Sequence, residues 1–269
     1  MGMMSNNDMK IILIGAGNLA TQLALALQKK GLTPAWVYSR TEESARQLSD
    51  RLPHSRYTTD LAQLPADGDL YIFAVKDSVL PDLLARMPAN TGLWVHTAGS
   101  VDCEVFRPYS TRYGVFYPMQ TFSKEREVDF DDIPFFIEAN SEADTELLHH
   151  LASRLSGKVY RANSEQRKYL HLAAVFACNF TNHLYVLCDR ILQEHGLPFE
   201  AMLPLIRETA AKVADMSPFD AQTGPAIRYD QNIIAKQEAL LADPTLREIY
   251  SLMSRSIHET HNPEKKQES

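Results

Sequence analysis

Cysteine is scarce in this 269-residue sequence: Cys103, Cys178 and Cys188 are odd in number and far apart. No C-x-x-C pair and no His/Cys cluster occurs, so neither a zinc site nor a redox dithiol is expected. A reducing cytoplasm fits that usage best. Basic runs are missing too. Lysine and arginine number 27 against 34 acidic residues, a net charge of -7, which argues against nucleic acid as a partner. The start, MGMMSNNDMK, has no basic segment followed by an apolar one, so no signal peptide is read there. Asn6 stands where N-myristoylation needs Ser or Thr. The longest apolar stretch, around Leu172 to Phe180, is too short to span a bilayer and carries Asn179, so no membrane partner is expected. Internal repeats and low-complexity linkers are absent, and the polar tail from His258 to Ser269 is expected to fray.

What remains is a chain with 45% apolar residues, enough for a sizeable core in one large domain or two moderate ones. The first half alternates short apolar runs with helical segments. Strands are expected at Ile11 to Ile14, Ala35 to Tyr38, Tyr57 to Thr59, Leu70 to Val75 and Leu93 to His96, with two more near Val115 and Phe135. Strands separated by helices imply an α/β fold, an N-terminal Rossmann doubly wound, mostly parallel sheet. From about Ser164 the pattern changes. Residues 164–195 contain neither proline nor glycine, and their middle is apolar nearly all round, which predicts a long buried helix. Helical segments follow at Phe199 to Met216, Asp230 to Leu241 and Pro244 to Ile257, separated by the loop SPFDAQTGPAIRYD and without strand-like runs. The expected organisation is therefore residues 1–160 as a nucleotide-binding domain and 161–269 as an all-helical domain.

The segment GAGNLA, Gly15 to Ala20, follows the first apolar run and opens an alanine- and leucine-rich helix. This is the strand, glycine turn and helix of a dinucleotide fingerprint. Gly15 suits the tight turn, Gly17 lets a pyrophosphate approach the backbone, and Ala20 lets the helix pack closely on the strand. Gly15, Ala16, Gly17, Asn18 and Leu19 are the expected cofactor contacts, with the pyrophosphate on free N–H groups at the helix N-terminus. At the end of the second strand, Tyr38-Ser39-Arg40-Thr41 lacks the acid that would bind a ribose 2′-OH. Ser39, Arg40 and Thr41 suit a 2′-phosphate instead and so favour NADP(H). Ser39 with Glu42 also fits a capping box that would leave Arg40 merely solvated.

Taken together, GAGNLATQLALALQKKG, VYSRT and FAVKDS resemble the pyrroline-5-carboxylate reductase and 6-phosphogluconate dehydrogenase superfamily. Within it, HTAGS (His96 to Ser100), YPMQTF (Tyr117 to Phe122), HLAAVFACNF (His171 to Phe180) and TGPAIRYD (Thr223 to Asp230) resemble a bacterial family of Rossmann-like NADP oxidoreductases. That family has a helical C-terminal domain without an assigned function, and its N-terminal domain is grouped with deazaflavin-dependent NADP reductases. The resemblance runs from about residue 9 to 258. It implies NADP(H) binding and a homodimer through the C-terminal helices, but no substrate. The lysine and asparagine that β-hydroxyacid dehydrogenases space four apart on their long helix are not matched: Lys168 is followed by Leu172. The hydroxyacid mechanism therefore does not carry over.

Val75 and Lys76 at the end of the fourth strand, and Thr97 and Ala98 after the fifth, are expected along the cofactor. Lys76 reads equally as a solvated loop lysine, and His96 as a packed strand-end residue. His171 and Asn179 lie eight apart with Val175 between, on one helical face. They read either as hydrogen-bonded core groups or as catalytic residues, with His171 the proton donor. Gln120 and Arg228 are substrate-binding candidates, Arg228 for a carboxylate, although it also has Asp220 and Asp230 in reach as ion-pair partners. Cys178 is expected to be inert core. The expected function is NADP(H)-dependent hydride transfer to or from a small carbonyl or imine substrate lying between the domains. The alternatives are a non-catalytic NADP(H)-binding sensor or assembly protein, and a deazaflavin-dependent NADP reductase.

Overall fold

A computed structural model describes residues 9–263. Met1–Asp8, which hold the N-terminal segment discussed above, and the end of the polar tail lie outside the described residues. The chain forms two compact units, Met1–Asn179 and Phe180–Ser269.

The first unit is built on an eight-stranded sheet. Its strands are β1 (Ile11–Ile14), β2 (Trp36–Tyr38), β3 (Arg56–Thr58), β4 (Leu70–Phe73), β5 (Leu93–His96), β6 (Tyr113–Pro118), β7 (Phe135–Ala139) and β8 (Val159–Arg161). Their order is β3-β2-β1-β4-β5-β6-β7-β8. Every pairing is parallel except β6 with β7. The helices are α1 (Asn18–Lys29), α2 (Glu42–Ser49), α3 (Leu80–Leu84), α4 (Glu142–Leu155) and α5 (Ser164–Ala174). All residues of β1, β4 and β5 are buried, as expected of strands covered on both faces. One face carries Ile11 and Leu13 against Leu23 of α1 and Leu148 of α4. The other carries Ile12 and Ile14 with Phe73, Trp94 and Phe106. Helix α1 ends where Gly31 takes φ +73° and Leu32 N donates back to Leu27 O at 2.9 Å, the left-handed stop expected of glycine there.

Helix α5 continues through a π-helical turn, Val175–Phe180, into α6 (Thr181–Glu194). The second unit adds α7 (Leu203–Asp215), α8 (Pro218–Ala221), α9 (Pro225–Arg228), α10 (Gln231–Ala239) and α11 (Pro244–His261). Both α8 and α9 fall in the segment expected to be loop. Helix α11 runs through His258–His261, where fraying was expected. Among the described residues no strand follows Arg161.

The long helix departs from expectation. Tyr169, Leu172 and Phe176 are 66%, 53% and 62% exposed, and Cys178 is half-buried rather than core. Leu184, Val186 and Ile191 of α6 are exposed as well. The uninterrupted run Ser164–Glu194, 31 residues, is also long and apolar enough to cross a membrane by length and composition, which the apolar stretch counted alone did not suggest. The two units meet inside this run, at Asn179 and Phe180, and Ser164 and Arg167 near its start are buried.

Candidate functional site

At the C-terminal edge of the sheet, β1 lies between β2 and β4, the point where connections leave in opposite directions and α/β sheets open a crevice. A cleft of about 450 Å³ occupies it. Its floor is the glycine turn. Gly15 has φ +121°, and a Cβ there would lie 2.2 Å from the Ala74 carbonyl oxygen, so only glycine lets the turn pass under β4. Gly17 has nothing within 4 Å of an added Cβ: its open side is room for a ligand. Gly17 caps α1 without a side-chain hydrogen bond, and the first turn holds no acid. Its leading N–H groups therefore remain available to an anion. Gly15, Ala16, Gly17 and Asn18 all line the cleft, while Leu19 packs against the apolar core beneath.

Ser39, Arg40 and Thr41 line the cleft together with Ser44. The capping box does not form: Thr41 is the N-cap of α2 and makes no side-chain cap bond. The nearby acids turn elsewhere, since Glu42 accepts from Tyr57 Oη at 3.4 Å and Glu43 accepts from Gln47 at 3.1 Å. Lys76 and Lys124 complete the polar rim beside the apolar Val75, and no carboxylate lines the cleft among the described residues. None of Arg40, Lys76 and Lys124 enters a salt bridge there. In a chain of net charge -7, this is a local concentration of unpaired positive charge shaped for an anion. Sequence reasoning missed Lys124, because nothing local marks a loop lysine as facing a turn a hundred residues earlier.

Thr97 and Ala98 do not line the cleft. They leave β5 beside the segment that leaves β4, and the two are joined by Ser100 Oγ donating to Asp77 Oδ2 at 2.5 Å. Arg167, wholly buried, clamps this second loop. Its Nε donates to the Ala98 carbonyl at 3.3 Å, Nη2 to the Val101 carbonyl and to Ser164 Oγ at 3.1 Å, and Nη1 to Glu138 at 2.6 Å. Against the loop lies His171. A Cβ at Gly99 would sit 2.7 Å from His171 Nδ1 and 2.8 Å from its Cβ, so the absence of a side chain there admits the imidazole. Tyr117 Oη meets Nδ1 at 3.3 Å. Burial raises the Tyr117 phenol above its usual pKa against the opposing pull of Arg167, so it stays protonated at neutral pH. Tyr117 is the second residue that sequence reasoning missed, although its strand places it squarely on the helix.

His171 and Asn179 are exposed, not buried in the chain. Eight residues of ideal α-helix overshoot two turns by about 80°; the wider turn at Val175–Phe180 rotates less per residue and brings the two toward one face. Such π-turns recur at functional sites. Gln120 is exposed and its Oε1 accepts from Thr121 N at 2.8 Å. Arg228, in the second unit, is exposed at the end of α9 and pairs with neither Asp220 nor Asp230. His96 is packed in the sheet, as its alternative reading had it, stacked on Phe106 at 5.6 Å. No metal-binding group of acids, histidines and cysteines occurs among the described residues.

Comparison with known proteins bears on both halves. Residues 10–95 match the family model "NADP oxidoreductase coenzyme F420-dependent", and residues 133–257 match a domain of unknown function, DUF2520. A crystal structure described as a "putative NADP oxidoreductase" from Bacteroides fragilis is 55% identical, with TM-score 0.87, over 94% of this chain and 99% of that one. A Thermotoga maritima protein is 24% identical, with TM-score 0.76, over 93% and 99%. An imine reductase from Myxococcus stipitatus in complex with NADP+ is 16% identical, with TM-score 0.65, over 96% and 95%. The last two likenesses are of fold. Among curated proteins none matches significantly.

Proposed function

We propose that this chain, which belongs to the NADP oxidoreductase family that joins a Rossmann domain to a DUF2520 region, transfers a hydride between NADP(H) and a small carbonyl or imine compound. The observation that carries the reading is the cleft at the sheet switch point, rimmed by Arg40, Lys76 and Lys124 and free of carboxylates among the described residues. Gly15 to Asn18 take the pyrophosphate, and Ser39, Arg40 and Thr41 take a 2′-phosphate. When bound, NADP(H) supplies or accepts the hydride; the protein's part is to orient and to move the accompanying proton. In the reducing direction, protonated His171 gives its Nε2 proton to the substrate heteroatom. Its Nδ1 proton stays hydrogen-bonded to Tyr117 Oη, so the neutral tautomer left behind is defined. Val75 and Lys76 flank the cofactor within the cleft, Thr97 and Ala98 are assigned to its nicotinamide end beyond the cleft, and Asn179 and Gln120 to substrate orientation.

The exposed apolar faces of α5 and α6 are assigned to a second copy, making a homodimer through these helices. Three free cysteines suit the reducing cytoplasm. The family description of residues 10–95 favours a second reading, in which the hydride partner is a deazaflavin; those residues are the nucleotide-binding part, so they speak for the nucleotide more than for its partner. Adding free deazaflavin to the bound nucleotide separates the two.

Calorimetric titration with NADPH and NADH tests the site. A hydrogen bond to a charged group contributes about 1.5–3 kcal/mol, so Arg40→Ala is expected to weaken NADPH about tenfold to a hundredfold and to leave NADH nearly unchanged. Equal losses for both nucleotides would show that the phosphate site is misplaced. A wild-type protein that binds neither removes the reading altogether.

A further inference from the structure

We infer that Lys124, on the segment after β6, binds the cofactor pyrophosphate, an assignment that rests on the dinucleotide reading above. Helix α1 reaches out to hold this segment. Asn18 Nδ2 donates to the Phe122 carbonyl at 3.0 Å; one turn further on, Gln22 Nε2 donates to the carbonyls of Ser123 at 2.7 Å and Lys124 at 3.4 Å. Gln22 is only 2% exposed. A buried amide is retained only where its polar atoms are satisfied, and both acceptors of its amino group belong to this one segment. The consequence is that Lys124 lines the same cleft as Gly15 to Asn18, with no salt-bridge partner among the described residues.

The tethers decide which phosphate it serves. Asn18 is the first residue of α1, and the carbonyl it binds lies two residues before Lys124. Ser39 to Thr41 leave from β2, on the far side of β1 from β4. Lys124 is therefore anchored to the helix end where a pyrophosphate sits, not to the strand end that reads the ribose. A helix N-terminus offers only about half a positive charge, which leaves most of a doubly charged pyrophosphate unmatched. Lys124 closes that deficit from above, and Gln22 is its positioning residue.

Titration of NADPH and NADH into wild-type, Lys124→Ala, Gln22→Met and the double variant tests this. Lys124→Ala is expected to weaken both nucleotides by the same factor, about tenfold, with the loss shrinking as salt screens the charge. Gln22→Met is expected to weaken both as well, and to add nothing once Lys124 is gone. Unchanged binding by Lys124→Ala, beside intact wild-type binding, overturns the Lys124 assignment alone. A loss confined to NADPH overturns it too, by moving Lys124 to the 2′-phosphate. Wild-type protein that binds neither nucleotide overturns this assignment and the site together. Lys124 is half-buried on a loop, so its variant reads the test even where Gln22→Met fails to fold.

Discussion

His96 sits inside the sheet at 1% exposure, with Nδ1 accepting from Ala98 N at 3.2 Å and Nε2 without a partner among the described residues. Burial, reinforced by the positive charge of Arg167, lowers its pKa from 6.5 to about 3. The neutral ring thus carries its proton on Nε2, because Nδ1 is the acceptor. The sign of the linkage follows. Below about pH 6.5 the unfolded chain binds a proton that the folded chain refuses, so stability is lost progressively as pH falls from 6.5 toward about 3. At pH 5 the contribution amounts to roughly 2 kcal/mol. Urea unfolding at pH 7 and pH 5 should therefore show a smaller acid loss in His96→Gln than in wild type, by about that amount. Equal losses would mean that this imidazole is not the group titrating. Nothing in the sequence distinguished His96 from His171 as a chemical candidate except position. Burial and the Arg167 charge make the first a structural residue; the gap left by Gly99 makes the second an accessible one.

Helix α5 is fixed at its start by an element-scale lock. Asn163 and Gln166 form a capping box, Ser164 Oγ donates to Glu138 Oε2 at 2.8 Å, and Arg167 joins the same carboxylate to the loop after β5. Removing one member of a buried ion pair strands the other, at a cost of about 3–5 kcal/mol. Arg167→Met should lose stability on that scale in chemical denaturation. A loss below about 1 kcal/mol would mean that water replaces the guanidinium and that the loop under His171 is held by other means. This lock was not legible beforehand, since Arg167 reads as an ordinary polar residue on a helix, and only the sheet's register brings Glu138 to it. By contrast β1, β4 and β5 were legible as unbroken apolar runs, and the Gly15 to Thr41 half of the site was legible because its residues are local to two strand ends. Strand β8 escaped notice because it is three residues with two exposed. The π-turn escaped because VFACNF looks like any apolar helix, and α8 and α9 because glycine and proline surround them. Lys124 and Tyr117 escaped because long-range pairing alone carries them to the site.

At the scale of the whole molecule, the long helix carries an apolar face that its own unit leaves exposed. Side chains at Tyr169, Leu172 and Phe176 recur at three- and four-residue spacing with more than half their surface exposed, one continuous apolar face that marks an interaction surface. In the second unit, Leu205 and Leu252 are 63% and 56% exposed, and an apolar cavity of about 430 Å³ lies between α6 and α11. Lipid would satisfy such surfaces by length and composition. Against it stand His171, Asn179, Asn182 and His183 in the same stretch, polar groups that are costly in hydrocarbon, and the anchoring of the helix start by Arg167 in the sheet unit. A second copy of the chain would satisfy both kinds of side chain, the apolar by packing and the polar by hydrogen bonds. Sedimentation in detergent-free buffer should therefore give twice the 30.4 kDa chain mass. Leu172→Glu places a charge in the apolar face, and losing a central contact of at least about 2 kcal/mol should raise the dimer Kd about thirtyfold or more while leaving the far-UV spectrum unchanged. A wild-type monomer at micromolar concentration, or recovery of the protein with added vesicles, would assign this face to another partner.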